Sequence, residues 1–195
     1  MLFRSWYTYD ASGNPKWYFA SNCALPAGGT IGTCSGSLYE ANGPTFFGAG
    51  FDPSLVNLST VGSLQVKFQD ASTASMSYTL NGQSRTVPIA RMVFSSNTTP
   101  LAFDYTDLWW NPEESGWGMT ITHQYGVMFL AWYVYDGTGK PVWYVASDCV
   151  VYGSMCFGTL YRTTGPPLGP TFNPDRKSTR LNSSHIQKSR MPSSA

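Results

Sequence analysis

The residues best suited to chemistry lie within one segment of fifteen residues, between Trp109 and His123. Glu114 and His123 have the side chains of a general acid/base pair, which a hydrolase would need. No nucleophile accompanies them, because Ser115 lies in Ser-Gly-Trp-Gly and not in a G-x-S-x-G elbow. We therefore expect no catalytic residues and no enzyme activity, with a hydrolase that uses Glu114 and His123 as a second alternative.

Aromatic residues in the same segment suggest binding. Exposed rings can stack on sugar rings or on apolar ligands at the mouth of a barrel. The candidate binding residues are Trp109, Trp110, Glu114, Trp117 and His123. The competing interpretation is that the rings fill a core or a contact between modules. His123 would then be a core histidine on the strand face that also carries Trp117.

Metal, cofactor and nucleic-acid functions are not expected. The chain has no C-x-x-C motif, no phosphate loop and no dinucleotide fingerprint. Residues 175–195 hold five of its twelve basic residues and one of its eleven acidic residues, so the rest carries seven basic against ten acidic. A mildly acidic body does not favour nucleic acid as a partner. No apolar run reaches the roughly 20 residues of a membrane-spanning helix.

The four cysteines fall into two pairs, Cys23 with Cys34 and Cys149 with Cys156. Each pair joins the end of one predicted strand to the start of the next, where neighbouring antiparallel strands come within disulfide reach. The loop between the cysteines differs in length between the pairs, which a disulfide tolerates better than a metal site does. We expect two disulfides, and hence an oxidising compartment, periplasmic or extracellular.

An internal repeat organises the chain. Residues 3–23 and 129–149 are identical at 12 of 21 positions, at a constant offset of 126. After a shift of four residues the match resumes, from Cys34 to Gly43 and from Cys156 to Gly165. We expect one β module in residues 1–100 that lacks its opening strand, and the first half of a second in residues 101–174. Both ends would be truncated from a longer array, with neighbouring modules as partners.

Side chains alternate with a period of two, which predicts half-buried antiparallel strands. The expected strands cover about 62–69, 74–80, 85–94, 117–124, 127–135, 141–148 and 155–162. Asn81-Gly82 predicts a hairpin turn, and Asp10 and Asp136 predict Asx-type turns. The fold class is therefore all-β, an antiparallel meander with the form of an up-and-down barrel, or alternatively a sandwich.

The motifs together carry a resemblance. WWNPEESGWG, then HQ, then WYVYDGTGKPVWYVASDC and C-x-G-x-L-Y resemble a recurrent β-repeat module of exported proteins of Gram-negative bacteria. The resemblance implies an exported, repeated domain with a structural or binding role, and it supplies no catalytic residues. A saccharide or small apolar ligand is the first alternative. Residues 175–195 resemble translated adapter sequence, so we expect a disordered tail that is not part of the fold.

Overall fold

The structure is a computed structural model that describes residues 4–21, 23, 32–48, 50–95, 103–153, 155–167 and 188–189. The described chain is all-β and forms two antiparallel sheets, one of which is a half-barrel. The first sheet contains β1 (Arg4–Tyr9), β2 (Pro15–Ala20), β3 (Thr33–Asn42), β4 (Asn57–Phe68), β5 (Thr73–Leu80) and β6 (Gln83–Ala90). The second contains β7 (Asp107–Trp109), β8 (Gly118–Gln124), β9 (Val127–Tyr135), β10 (Pro141–Tyr152), β11 (Met155–Phe157), β12 (Leu160–Tyr161) and β13 (Lys188–Ser189).

Both sheets are antiparallel meanders in which consecutive strands are neighbours, except that β11 and β12 both pair with β10. The first follows the order β1 to β6, and the second follows β13, β12, β10, β9, β8, β7, with β11 also paired to β10. The predicted all-β class and antiparallel order are confirmed. The predicted strand at 155–162 is interrupted between β11 and β12. Gly158 lies there against Cys149, where an added Cβ would stand 3.0 Å from the Cys149 Cα.

The predicted hairpin at Asn81-Gly82 joins β5 to β6. Asn81 and Gly82 have φ angles of 49° and 79°, so both lie in the left-handed region that a type I′ turn requires. The register follows from the turn, with Leu80 opposite Gln83 and the pairing continuing to Thr73 opposite Ala90. Alternate side chains of β4 and β5 therefore face the core, which includes Leu64, Val66 and Tyr78.

By its contacts the chain divides into two compact units. The first consists of Met1–Trp6, Tyr18–Ala41 and Asn57–Val93. Its described interior contains Leu38, which is fully buried. The half-buried ring of Trp6 packs on the buried Tyr78, with 4.7 Å between ring centroids.

The second unit consists of Tyr7–Trp17, Asn42–Val56 and Phe94–Ala195. Its buried side chains belong mainly to the two segments that match in sequence, and include Trp17, Val134, Tyr135, Val142 and Trp143. The first sheet ends at Ala90 and the second begins at Asp107. The second compact unit nevertheless includes two segments from the first half of the sequence, Tyr7–Trp17 and Asn42–Val56. Of the predicted tail 175–195, the structure describes only Lys188–Ser189, paired with β12.

Both expected disulfides are present. Cys23 bonds to Cys34 and Cys149 bonds to Cys156, with Cα–Cα distances of 4.9 and 5.5 Å. These distances fall in the usual range for a disulfide. Two disulfides indicate an oxidising environment. In the described residues, no helix is long and apolar enough to cross a membrane.

Accessibility predicts the order in which the disulfides are reduced. Cys23 and Cys34 have no exposed surface, whereas Cys156 is partly exposed. With rising dithiothreitol under native conditions, we expect Cys149–Cys156 to open first, as read by alkylation and peptide mass spectrometry. In denaturant the difference should vanish. Earlier opening of Cys23–Cys34, or free thiols in the unreduced denatured protein, would contradict the assignment.

Candidate functional site

The two hairpins that match in sequence have matching turns. In the β1–β2 turn, the Asp10 carboxylate accepts hydrogen bonds from the backbone amides of Ser12 and Asn14, both at 2.9 Å. In the β9–β10 turn, the Asp136 carboxylate accepts from the amides of Thr138 and Lys140, at 2.8 and 3.1 Å. These are the predicted Asx-type turns.

Both aspartates serve their turns as charged acceptors. Partial burial raises the pKa of the Asp10 and Asp136 carboxyls, but the hydrogen bonds from the turns outweigh it. The net pKa of each carboxyl therefore lies below its ordinary value, so both are ionised at neutral pH.

The hairpins hold each other through two equivalent hydrogen bonds. The Trp17 indole N–H donates to the carbonyl of Val134 at 3.2 Å. The Trp143 indole N–H donates to the carbonyl of Thr8 at 2.9 Å. Trp143 lies 126 residues after Trp17, and Val134 lies 126 after Thr8. Each hairpin therefore donates one indole hydrogen bond to the other hairpin and accepts the equivalent bond from it.

The rings around these bonds are also equivalent. Trp143 packs against Tyr7 and Tyr9, with ring centroids 5.1 and 5.5 Å away. Trp17 packs against the matching residues Tyr133 and Tyr135, at 5.8 and 5.9 Å. Both indole N–H groups therefore belong to buried side chains that pack against two tyrosine rings each.

Two backbone hydrogen bonds between glycines also connect the two repeats. The amide of Gly43 donates to the Gly139 carbonyl at 3.1 Å, and the amide of Gly165 donates to the Gly13 carbonyl at 3.2 Å. Gly13 and Gly139 are the turn glycines, with φ of 81° and 77°. An added Cβ on Gly43 would stand 2.6 Å from the Tyr135 ring, and one on Gly165 would overlap the Tyr9 ring. Only glycine lets these backbones approach so closely.

A second cluster of rings, which we name the aromatic surface, lies on the same unit. It consists of Phe46, Phe47, Trp117, Trp132 and Tyr144. Phe47 is 55% exposed. Phe46 and Phe47 meet Trp132 at interplanar angles of 89° and 90°, an edge-to-face arrangement typical of packed rings.

The predicted segment 109–123 supplies one member of this surface. Asn111 forms the expected turn, since its side-chain oxygen accepts from the Glu113 amide at 3.1 Å. The Glu114 carboxylate then accepts from the Trp117 indole N–H at 3.0 Å. Glu114 therefore orients Trp117, whose ring centroid lies 6.4 Å from that of Trp132.

The segment's other tryptophans are more exposed. The indole N–H of Trp109 donates to the Tyr105 carbonyl at 3.0 Å, and this side chain is 48% exposed. Trp110 is 55% exposed. Neither makes a ring contact with Trp117 in the described residues.

His123 lies near the far end of β8, away from Glu114. It is 8% exposed, its ring stacks on Tyr105, and its Nδ1 accepts from the Tyr105 amide at 3.5 Å. Its Nε2 has no hydrogen-bond partner within the described chain. From Gly118 to His123 the strand spans about 17 Å at 3.3 Å per residue, so β8 keeps His123 apart from Glu114.

The five predicted binding residues thus form no single site. Glu114 and Trp117 are together, Trp109 and Trp110 lie before them in or beside β7, and His123 stands apart. Phe46, Phe47, Trp132 and Tyr144 were missed as site residues. The repeat could have pointed to Trp132 and Tyr144, whereas nothing local in the sequence marks Phe46 and Phe47.

In the part of the chain that the structure describes, no group of three His, Cys, Asp or Glu side chains is placed to hold a metal ion. No family model matches this chain, and neither a curated protein nor a solved structure matches it.

The close approach at Gly43 gives a direct test of the contact between repeats. We expect Gly43→Ala to lower the free energy of unfolding by about 1–3 kcal/mol, because the new Cβ would press on the Tyr135 ring. Gly137→Ala is the matched control, since nothing lies within 4 Å of its added Cβ. Urea unfolding measures both. A Gly43→Ala variant as stable as Gly137→Ala would contradict the contact.

Proposed function

We propose that this chain is a non-catalytic module of an exported repeat protein, and that its role is structural: its matching hairpins fasten successive modules together. The observation that carries the proposal is the reciprocal pair of hydrogen bonds, Trp17 to Val134 and Trp143 to Thr8. A buried indole N–H group left without an acceptor costs about 1–3 kcal/mol. Each hairpin therefore supplies the acceptor that the buried tryptophan of the other hairpin needs.

Export is supported by the two disulfides, which persist in the periplasm or outside the cell and are rare in the cytosol. The resemblance to an exported β-repeat module agrees with this. Neighbouring modules of the same kind are the partners that we propose.

Absence of catalysis is part of the proposal. Glu114 is engaged by Trp117, and His123 is packed on Tyr105 at the other end of β8. This geometry favours positioning and packing roles for both residues. The hydrolase alternative requires them to meet at one substrate.

Tryptophan-to-phenylalanine variants test the structural role. We expect Trp17→Phe and Trp143→Phe each to lower the free energy of unfolding by about 1–3 kcal/mol, and by similar amounts, because each removes a buried hydrogen bond between the hairpins together with part of a packed ring. Trp132→Phe is the matched control, because its indole N–H is buried with no hydrogen-bond partner in the described residues. Chemical denaturation, followed by circular dichroism, gives the three values.

Two outcomes would contradict the proposal. One is a Trp17→Phe or Trp143→Phe variant as stable as Trp132→Phe. The other is hydrolysis of an ester, glycoside or peptide substrate by the protein that disappears in a folded His123→Ala variant.

A second candidate function is binding of a saccharide or small apolar ligand, favoured by the exposure of Phe47 on the aromatic surface. Sugars bind to open ring faces, and the edge-to-face contacts of Phe46 and Phe47 occupy faces of Trp132. The structural role is therefore preferred.

Ligand-induced melting shifts separate the two candidates. If the aromatic surface binds saccharide, an oligosaccharide panel should contain a member that raises Tm, and Phe47→Ala should abolish the shift. Phe103→Ala is a control, because Phe103 is also exposed but lies outside the aromatic surface. We expect no shift with any member. A shift that depends on Phe47 would favour the second candidate.

A further inference from the structure

Asparagine is followed directly by glycine at two places in the chain, Asn42-Gly43 and Asn81-Gly82. In such a pair the backbone nitrogen of the glycine can attack the side-chain amide carbon of the asparagine, because glycine has no side chain to obstruct the approach. The product is a five-membered succinimide ring, the intermediate of spontaneous deamidation. The attack requires a glycine nitrogen that is free to move, and in this respect the two pairs differ.

The pair at the tip of the β5–β6 hairpin is free to react. Asn81 and Gly82 are both exposed. The strand pairing closes through their neighbours, Leu80 opposite Gln83, and within the described residues the Gly82 amide donates no hydrogen bond. An added Cβ on Gly82 would meet nothing within 4 Å. The attacking nitrogen is therefore neither bonded nor enclosed.

The other pair is held in place by the contact between the repeats. The Gly43 amide donates to the Gly139 carbonyl at 3.1 Å. The Gly43 backbone also lies so close to the Tyr135 ring that an added Cβ would stand 2.6 Å from it. An attack on Asn42 would have to break this hydrogen bond and move the backbone away from the ring. The folded structure therefore protects Asn42.

The single aspartate–glycine pair of the sequence, Asp136-Gly137, can in principle form the same ring. Its carboxylate, however, accepts hydrogen bonds from the amides of Thr138 and Lys140. An ionised carboxylate that is engaged in this way is a poor target for a nucleophile. Of these three pairs, Asn81-Gly82 is the one that the fold leaves reactive.

We propose that Asn81-Gly82 is a site of spontaneous deamidation in the folded protein, with water as the co-reactant. The Gly82 nitrogen forms a bond to the Asn81 Cγ, the Cγ–Nδ2 bond breaks, and ammonia leaves with the proton of the Gly82 amide. Water then opens the ring. Opening at the backbone carbonyl gives isoaspartate, and opening at Cγ gives aspartate. In both products a neutral amide has become a carboxylate.

Isoaspartate would disturb the hairpin. The main chain of this product runs through Cβ and Cγ and is longer by one methylene carbon. The turn depends on φ angles of 49° at Asn81 and 79° at Gly82, which a two-residue type I′ turn requires and which the longer chain cannot keep. Aspartate would preserve the turn, because Asp-Gly also suits type I′. The inference is independent of the proposed structural role.

Ageing of the full chain in mildly alkaline buffer tests the proposal. Peptide mass spectrometry follows the conversion of amide to carboxyl at each asparagine, and isoaspartyl methyltransferase labels the isoaspartate. We expect Asn81 to deamidate at least about tenfold faster than Asn42, a difference in barrier comparable to the loss of one protein hydrogen bond. In denaturant the two rates should become similar, because both glycine amides are then free.

Asn81→Gly is the matched control variant, because Gly-Gly also forms a type I′ turn but carries no side-chain amide. It should keep the native circular dichroism spectrum and lose the isoaspartate signal of this peptide. In the isoaspartate form, the β5 and β6 amides next to the turn should exchange with deuterium faster than in the unaged protein.

Equal deamidation rates at Asn81 and Asn42 in the folded protein would overturn the proposal, and so would an Asn81 that stays unmodified while Asn42 reacts. Unchanged exchange at the turn of the isoaspartate form would contradict the effect on the hairpin. The Trp17→Phe and Trp143→Phe variants measure the structural role separately.

Discussion

The structure depends on two buried indole N–H groups, of Trp17 and Trp143, and on where they find their acceptors. The Trp17 indole donates to the Val134 carbonyl, which belongs to the other hairpin. The Trp143 indole donates to the Thr8 carbonyl in the same way. Because each hairpin carries both a donor and an acceptor, a single hairpin would lose both bonds together.

The contacts around these bonds hold the backbones of the two hairpins close together. The Asx turns at Asp10 and Asp136 fix the tips, and the turn glycines accept from Gly43 and Gly165. Burial raises the pKa of Tyr135 above its ordinary value, so its hydroxyl stays a neutral donor to the Gly116 carbonyl at 2.7 Å. A low-dielectric surrounding strengthens such bonds, and it makes each unpaired group correspondingly costly.

Local patterns in the sequence were enough for most strands, for the turns and for the disulfides. Alternation of side chains located β4, β5 and β8, and Asn81-Gly82 located a hairpin, because these features depend on neighbours in the chain. The contacts between repeats were not predictable in this way. Trp17 meets Val134 across 117 residues, and Phe46 meets Trp132 although no periodic pattern connects them. The repeat identified equivalent residues, but equivalence alone does not say whether two copies touch.

The reciprocity of the hairpin contact also limits what it can build. A contact in which the same surface is used by both partners closes on itself and is saturated by one pair, whereas an open array needs a contact between two different surfaces. In the contact formed by Trp17 and Trp143, each hairpin uses its one indole donor and its one carbonyl acceptor. A contact that joined further copies would therefore have to use a different surface.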